Sequence, residues 1–430
     1  MDEWKQLSEY PYLWRNKPID MSSEILFLVI VFIILFNFSF EQILDWLNLR
    51  ARSPELPEKL KPYYNEEKYV KSYSYHRENY HFSNISGLFS LGLILVMLSL
   101  DGFAFLDDYL GNYIQNEILL SISYFAVLAI GSDILSLPFS YYSIFHIEEK
   151  YGFNKMTVKT FVSDKIKSYL LGALIGGILL YAVIWFYQET GTYFWLWTFA
   201  VIAVFMLFMT AFYTSTILPI FNKLTPLEDG ELRDAIERYA KSVDFQLDNI
   251  FIIDGSKRST KANAFFSGLG KSKKIVLYDT LVEKHTTEEL VAILAHEVGH
   301  YKKKHSAITL SISLVQMFIM LYILGLFLDS PELSAALGVS EPKFHIGLIA
   351  FTLLYSPISL VLGIGMNMLS RKHEFEADAY ARDTYDGEAL ARALIKLSTD
   401  HLSNLTPHKA YVFIHYSHPP VLNRVERMTS

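Results

Sequence analysis

The 430-residue chain contains no cysteine. Disulfides and thiol chemistry are therefore excluded, while the redox compartment stays open. Charge is also scarce. Only 19% of residues are Asp, Glu, Lys or Arg, against about 25% in a soluble domain. The net charge of −7 is modest, and nothing in it suggests a nucleic-acid partner. No internal repeat, low-complexity tract or flexible linker is visible. Nor does a short basic leader precede the first apolar run, which follows about two dozen mixed, aromatic-rich residues. A cleavable signal peptide is thus not expected, and that run should be retained.

What the chain has in excess is apolar length. Hydrophobic residues make up 51% and aromatics 15%. Seven runs read as membrane spans: 25–40, 84–103, 118–138, 169–187, 193–213, 306–328 and 346–369. A hydrocarbon core of about 30 Å needs about 20 such residues in helix. The first run is short on that count and can continue into Phe40. Asp133 lies inside the third, and Pro138 ends or kinks it. An intramembrane carboxylate is a functional hypothesis by default; a wet cavity lining is the plainer reading. Trp185, Trp195 and Trp197 read as interface belts, and Lys302-Lys-Lys304 as an anchor at a membrane boundary.

Positive charge sets the orientation. Of the 38 Lys and Arg residues, 34 fall in loops 1, 3 and 5 and the tail, all on one side of a seven-span topology. That side should be cytoplasmic, with the N-terminus outside or lumenal. The chain then divides into spans 1–5 (1–213), a cytoplasmic loop domain (214–305), spans 6–7 (306–369) and a cytoplasmic tail (370–430).

Within the loop domain, Glu231 to Ser242 reads as a helix, and 249–253 and 274–278 as strands separated by a turn at Asp254-Gly255. Thr286-x-x-Glu289 is a capping box that opens a further helix, with Leu290, Ile293 and Leu294 on its apolar face. That helix carries His296-Glu-Val-Gly-His300. Histidines four apart share a helix face one turn from each other. Two such imidazoles can hold one zinc ion, with Glu297 placed as a general base for water. A catalytic zinc needs a third protein ligand and an open position. Glu374, in Ser370-Arg-Lys-His-Glu-Phe-Glu-Ala-Asp378, leaves span 7 at the membrane face where the motif helix enters span 6. Asp378, four residues on, can accept a hydrogen bond from a ligand imidazole. Glu376 is a rival ligand, but helical geometry turns it about 200° away from Glu374. His305 and His373 read as surface or interfacial residues rather than ligands.

Several segments carry a family resemblance: Glu149-Lys-Tyr-Gly-Phe-Asn154, Pro219-Ile-Phe-Asn-Lys-Leu-Thr-Pro226, Asn263-Ala-Phe-Phe-Ser-Gly268, the HExxH motif, Ser370 to Asp378, Leu402-Ser-Asn-Leu405 and Tyr416-Ser-His-Pro-Pro420. In this order they resemble the type I CAAX prenyl proteases, integral-membrane zinc metallopeptidases. The resemblance implies an α-helical membrane protein whose seven helices enclose a large chamber. A zinc-peptidase domain, of helices plus a small sheet, would lie at its cytoplasmic face. It implies one zinc per chain held by His296, His300 and Glu374, and Glu297 as general base and proton shuttle. It also implies His418 as oxyanion donor and Arg424 as a residue near the active site. Arg424 would either stabilise the site or contact a substrate carboxylate. Asn263, Ala264 and Phe265 would pair with an extended substrate. The implied partners are membrane lipid and a protein ending in a prenylated cysteine, two aliphatic residues and a variable one, from which the last three residues are cut. The tail ends in Met-Thr-Ser430 without a dilysine signal, so a bacterial inner membrane stands beside the endoplasmic reticulum as an expected location. Two other readings stay open: a zinc protease clearing damaged, unprenylated membrane proteins, and a transporter or lipid-binding protein with a structural HExxH. Ionisable residues gathered at one membrane face rather than mid-bilayer speak against the last.

Overall fold

The computed structural model describes residues 21–247, 249–267 and 274–429. The expected lumenal N-terminus and Gly268 of the 263–268 segment lie outside these. Helix α1 (Ser23–Arg50) is capped by Ser22 and runs 28 residues, so the first span is longer than its apolar core implied. Next come α2 (Glu66–Ser99), α3 (Gly102–Gly111) and α4 (Glu117–Tyr142), the last extended by a π turn at Ser143–Glu148. Helices α5 (Val158–Leu171) and α6 (Gly177–Thr190) are joined by a π turn, and α7 (Phe194–Thr216) and the short α8 (Leu218–Phe221) follow.

Among the described residues, six helical stretches are long and apolar enough to cross a membrane, and one of them, Val158–Phe221, has 64 residues. A straight helix of that length would be about 96 Å long. The chain instead folds back at Gly191, where φ is +53°. Phe186 stacks on Trp197 at 6.0 Å between ring centres, and Tyr187 meets Phe194 edge-on. The stretch therefore holds two of the seven expected spans. Asp133 pairs with Lys165 at 2.6 Å and accepts a hydrogen bond from Tyr169. Its charge is answered within the protein. Of the expected belt residues, Trp195 packs edge-on to Phe318 and Tyr322, where Gly325 lets the two helices approach. It makes an interhelical contact at the start of its span, and Trp185 and Trp197 are exposed.

After α8 the loop domain forms β1 (Leu224–Pro226), α9 (Glu231–Ser242), β2 (Asn249–Ile253), β3 (Ala264–Ser267), β4 (Lys274–Tyr278), α10 (Asp279–Lys284) and α11 (Thr287–Lys302). The sheet order is β1-β2-β4-β3. β2 and β4 are parallel, and both outer pairs are antiparallel. β3 was not expected as a strand, and it forms one edge of the sheet. The chain continues through α12 (His305–Phe327), α13 (Pro331–Ala335), α14 (Phe344–Thr384), α15 (Gly387–Asp400), α16 (Lys409–His415) and α17 (Val421–Thr429). At 41 residues, α14 is about 60 Å long, twice the hydrocarbon thickness. Its apolar half spans, and its other half carries Glu374 and Asp378 out to the loop domain.

Two packed regions bracket the spans. At one end, Leu26, Ile30, Leu98, Phe103, Tyr124, Leu337 and Ile346 form a core joining α1–α4 with α13 and α14. At the other, a larger core joins α9, the sheet, α11, α15 and α17. In between, only 6–22% of the most apolar part of each of the six stretches is buried. A ring of helices around an open interior gives this pattern, whereas a close-packed bundle buries a full stripe of each helix. The resembling segments sit at joints between regions. Lys155 N donates to Arg258 O and Thr260 N to Phe153 O, both at 3.0 Å. The Arg258 guanidinium binds Asp164 at 2.8 and 3.0 Å, and Leu402 O accepts from Ser72 Oγ at 2.8 Å.

Candidate metal centre

α11 starts as its sequence dictates. Thr286 Oγ1 accepts from Glu289 N at 3.3 Å, and the Glu289 carboxylate accepts from Thr286 N at 3.1 Å. Leu290 and Leu294 are buried in the domain core and Ile293 packs against it. His296 lies about 200° around the helix from Leu294, which turns it toward α14. Close approach of the two helices rests on Gly299. A Cβ there would stand 3.1 Å from both the Cα and the carbonyl oxygen of Ala377.

Across this contact His296 Nε2 and His300 Nε2 face each other at 3.0 Å. Glu374 Oε2 lies 3.4 Å from His296 Nε2, and Oε1 lies 3.3 Å from His300 Nε2. Tetrahedral ligands about 2.0–2.1 Å from one ion stand roughly 3.3–3.4 Å apart. The donor chemistry also fits, since two imidazoles and one carboxylate are a donor set of zinc sites that keep an open position. Glu374 Oε2 is buried without a hydrogen bond among the described residues; Arg424 Nη1, at 3.1 Å, is close but not aligned. The Glu374 charge is paired with Arg424, while the hydrogen-bonding capacity of Oε2 is left for a further partner such as a metal ion.

The surroundings orient these groups. Asp378 Oδ1 lies 2.9 Å from His296 Nδ1 and is placed to accept a hydrogen bond from its N–H, which leaves Nε2 free as a donor to metal. Arg424 grips Asp378 with two bonds, Nε to Oδ2 at 2.8 Å and Nη2 to Oδ1 at 2.6 Å. It is 5% exposed, so its charge offsets two buried carboxylates. This bidentate role was not legible in the sequence, because α17 and α14 are far apart in the chain. His418 Nε2 is 3.3 Å from Glu374 Oε1 and Nδ1 is 3.0 Å from Ser417 Oγ. Its side chain is 64% exposed, although the protein around it lowers its pKa through desolvation. Glu297 is half-buried, and desolvation pushes its carboxyl above the usual range, against the pull of His296 and His300.

Asn263 precedes edge strand β3, and its carbonyl accepts from Tyr278 N at 3.0 Å. Ala264 and Phe265 pair with Leu277 and Val276 on the inner side of that strand. Glu376 turns away from Glu374, as its rotation predicts, and meets His305 Nε2 at 3.0 Å. Neither His305 nor His373 belongs to the cluster of ligand atoms, as expected, but the expected surface position is corrected. They are only 3% and 6% exposed and stack on each other at 3.9 Å.

Comparison with known proteins gives the family. Residues 45–223 match the family model described as CAAX prenyl protease N-terminal, five membrane helices, and residues 226–430 match peptidase family M48. A CAAX prenyl protease 1 homolog of Arabidopsis thaliana is 36% identical, covering 94% of this chain and 96% of that protein. CAAX prenyl protease 1 of Saccharomyces cerevisiae is 35% identical, covering 90% and 92%. The crystal structure of S. mikatae Ste24p superposes with a TM-score of 0.90 at 34% identity, over 94% of this chain and 99% of that one. The chain belongs to the M48 family of peptidases, in the branch that carries the CAAX prenyl protease N-terminal membrane region.

Proposed function

We propose that this peptidase is a zinc metalloendopeptidase that acts, from within the membrane, on proteins ending in a prenylated cysteine, two aliphatic residues and a variable residue, and releases the last three. The observation that carries the metal assignment is the cluster of His296, His300 and Glu374, whose donor atoms lie within 4.8 Å of one another. The substrate class is supported by the relatives named CAAX prenyl protease 1 and by sparse burial along the spans, which suits an interior that admits a lipidated peptide.

Zinc held by these three residues would supply a Lewis acid for the scissile carbonyl and lower the pKa of water beside it to about 7. Glu297 takes the proton of the attacking water and passes it to the leaving amine. His418 donates to the oxygen on which charge develops. Arg424 acts by holding Asp378, and through it the His296 tautomer. Asn263, Ala264 and Phe265 offer the outer edge of β3 to an extended substrate backbone.

In this reading spans 1–5 and 6–7 (1–213 and 306–369) form the chamber. The loop domain (214–305) and tail (370–430) form the peptidase on the cytoplasmic side, which is where the Lys and Arg bias puts it. The test is release of the C-terminal tripeptide from a synthetic peptide ending in farnesyl-Cys-aliphatic-aliphatic-X, by detergent-purified protein. Release should vanish with a zinc chelator and return with zinc. Equal cleavage of the same peptide without farnesyl would overturn the prenyl requirement and favour a protease for unprenylated membrane proteins.

A further inference from the structure

The two histidines of the motif are held by unlike partners. His296 Nδ1 faces a carboxylate, Asp378, locked by Arg424. His300 Nδ1 faces another imidazole: His305 Nδ1 lies 3.0 Å from it. The far nitrogen of His305, Nε2, lies 3.0 Å from Glu376 Oε2. His305 stands at the start of α12, three residues after α11 ends, and Glu376 stands on α14 two residues past Glu374. Lys304, in the left-handed region at φ 60°, makes the sharp break that turns His305 back toward His300. His373 covers one face of the His305 ring, with the rings 8° from parallel.

We propose that His305 is a positioning residue for the metal centre: with Glu376 it holds the His300 imidazole in the tautomer and orientation that present Nε2 to the ion. The inference rests on the zinc assignment above. The proton placement follows by elimination. A neutral imidazole has one N–H and one lone pair. With His300 Nε2 turned to the metal, its proton resides on Nδ1. His305 Nδ1 must then accept, so the His305 proton resides on Nε2 and is donated to Glu376, which as a carboxylate can only accept. Each group in the chain has one role, and each role is satisfied. Metal-bound histidines generally donate their second N–H, and removing the acceptor typically weakens metal binding about 10–100-fold. The exposed end distinguishes this relay from its counterpart at His296. The Glu376 side chain is 38% exposed and that of Asp378 only 3%.

The test compares zinc affinity, by competition with a chromophoric chelator, in the full-length protein and three variants, with thermal stability of the zinc-free protein measured in parallel. His305→Phe keeps the ring stack on His373 and removes both nitrogens. It should weaken zinc binding about 10–100-fold and leave the metal-free melting temperature near wild type. His305→Gln keeps an oxygen that can accept from His300 and an amide that can donate to Glu376, and should recover much of the loss. Glu376→Ala should weaken zinc several-fold. Wild-type affinity in His305→Phe, or a Gln variant as weak as the Phe one, overturns the proposal. Should His305→Phe fail to fold, Glu376→Ala decides, and wild-type affinity there overturns it. A wild-type protein that binds no zinc would instead remove the metallopeptidase assignment beneath it.

Discussion

In the six membrane-crossing stretches, 6–22% of the most apolar part of each is buried, whereas in α11 Leu290, Val291, Ala292, Leu294, Ala295 and Val298 are all 2% exposed or less. The difference follows from the two solvents. Lipid tails are as apolar as the side chains facing them, so no hydrophobic force drives span against span, and contacts such as Trp195 on Phe318 and Tyr322 rest on close packing. At one end the spans are tied by the core around Tyr124 and Ile346, and at the other α14 runs into the peptidase core through Tyr380 and Ala381. Water surrounds the peptidase domain, and burial there is worth about 25 cal/mol per Å² of apolar surface. The lesson is that positional accuracy resides in the water-driven core. Glu374 joins it because α14 runs unbroken from the span to the site.

The largest effect should come from chemistry set inside that core. Glu297→Gln removes the base but no metal ligand, so turnover should fall about 10²–10⁴-fold while zinc stays near one per chain. Peptide release together with metal analysis checks this, and near-wild-type cleavage would remove Glu297 from its role. Next in size is Leu294→Ala, which leaves a cavity beneath the motif helix and should cost about 2–5 kcal/mol, read from denaturant unfolding of the detergent-solubilised protein. Gly299→Ala should cost about 1–3 kcal/mol, because the new methyl meets the Ala377 backbone at 3.1 Å. It should also lower zinc affinity by separating α11 from Glu374, and unchanged affinity would show that this contact does not set the ligand spacing. The smallest effect belongs to the ring. Phe32, 66% exposed in α1, should lose less than about 0.5 kcal/mol as Ala. If Phe32→Ala proved as damaging as Leu294→Ala, the contrast between the two regions would collapse.

Much of this architecture was legible because it repeats locally. Apolar runs of span length, a 3.6-residue face around Leu290 and Leu294, and a capping box at Thr286 each depend on neighbours within about a turn of helix or one run. Glu374 was legible for a related reason, since topology alone brings the end of span 7 to the membrane face where span 6 begins. The remaining features depend on contacts between distant segments. Strand β3 exists because β4 lies beside it, and nothing in Ala264-Phe-Phe-Ser267 alternates enough to announce it. Arg424 reaches Asp378 across 46 residues and Glu376 reaches His305 across 71. A polar side chain reads as exposed until a partner is known, which is why His305 and His373 looked like surface residues. Helices, spans and the motif's shared face follow from backbone geometry and side-chain polarity within a few residues. The choice of partner for each buried charge and ring depends on which helices cross, and that crossing is set by packing at small residues such as Gly299 and Ala377.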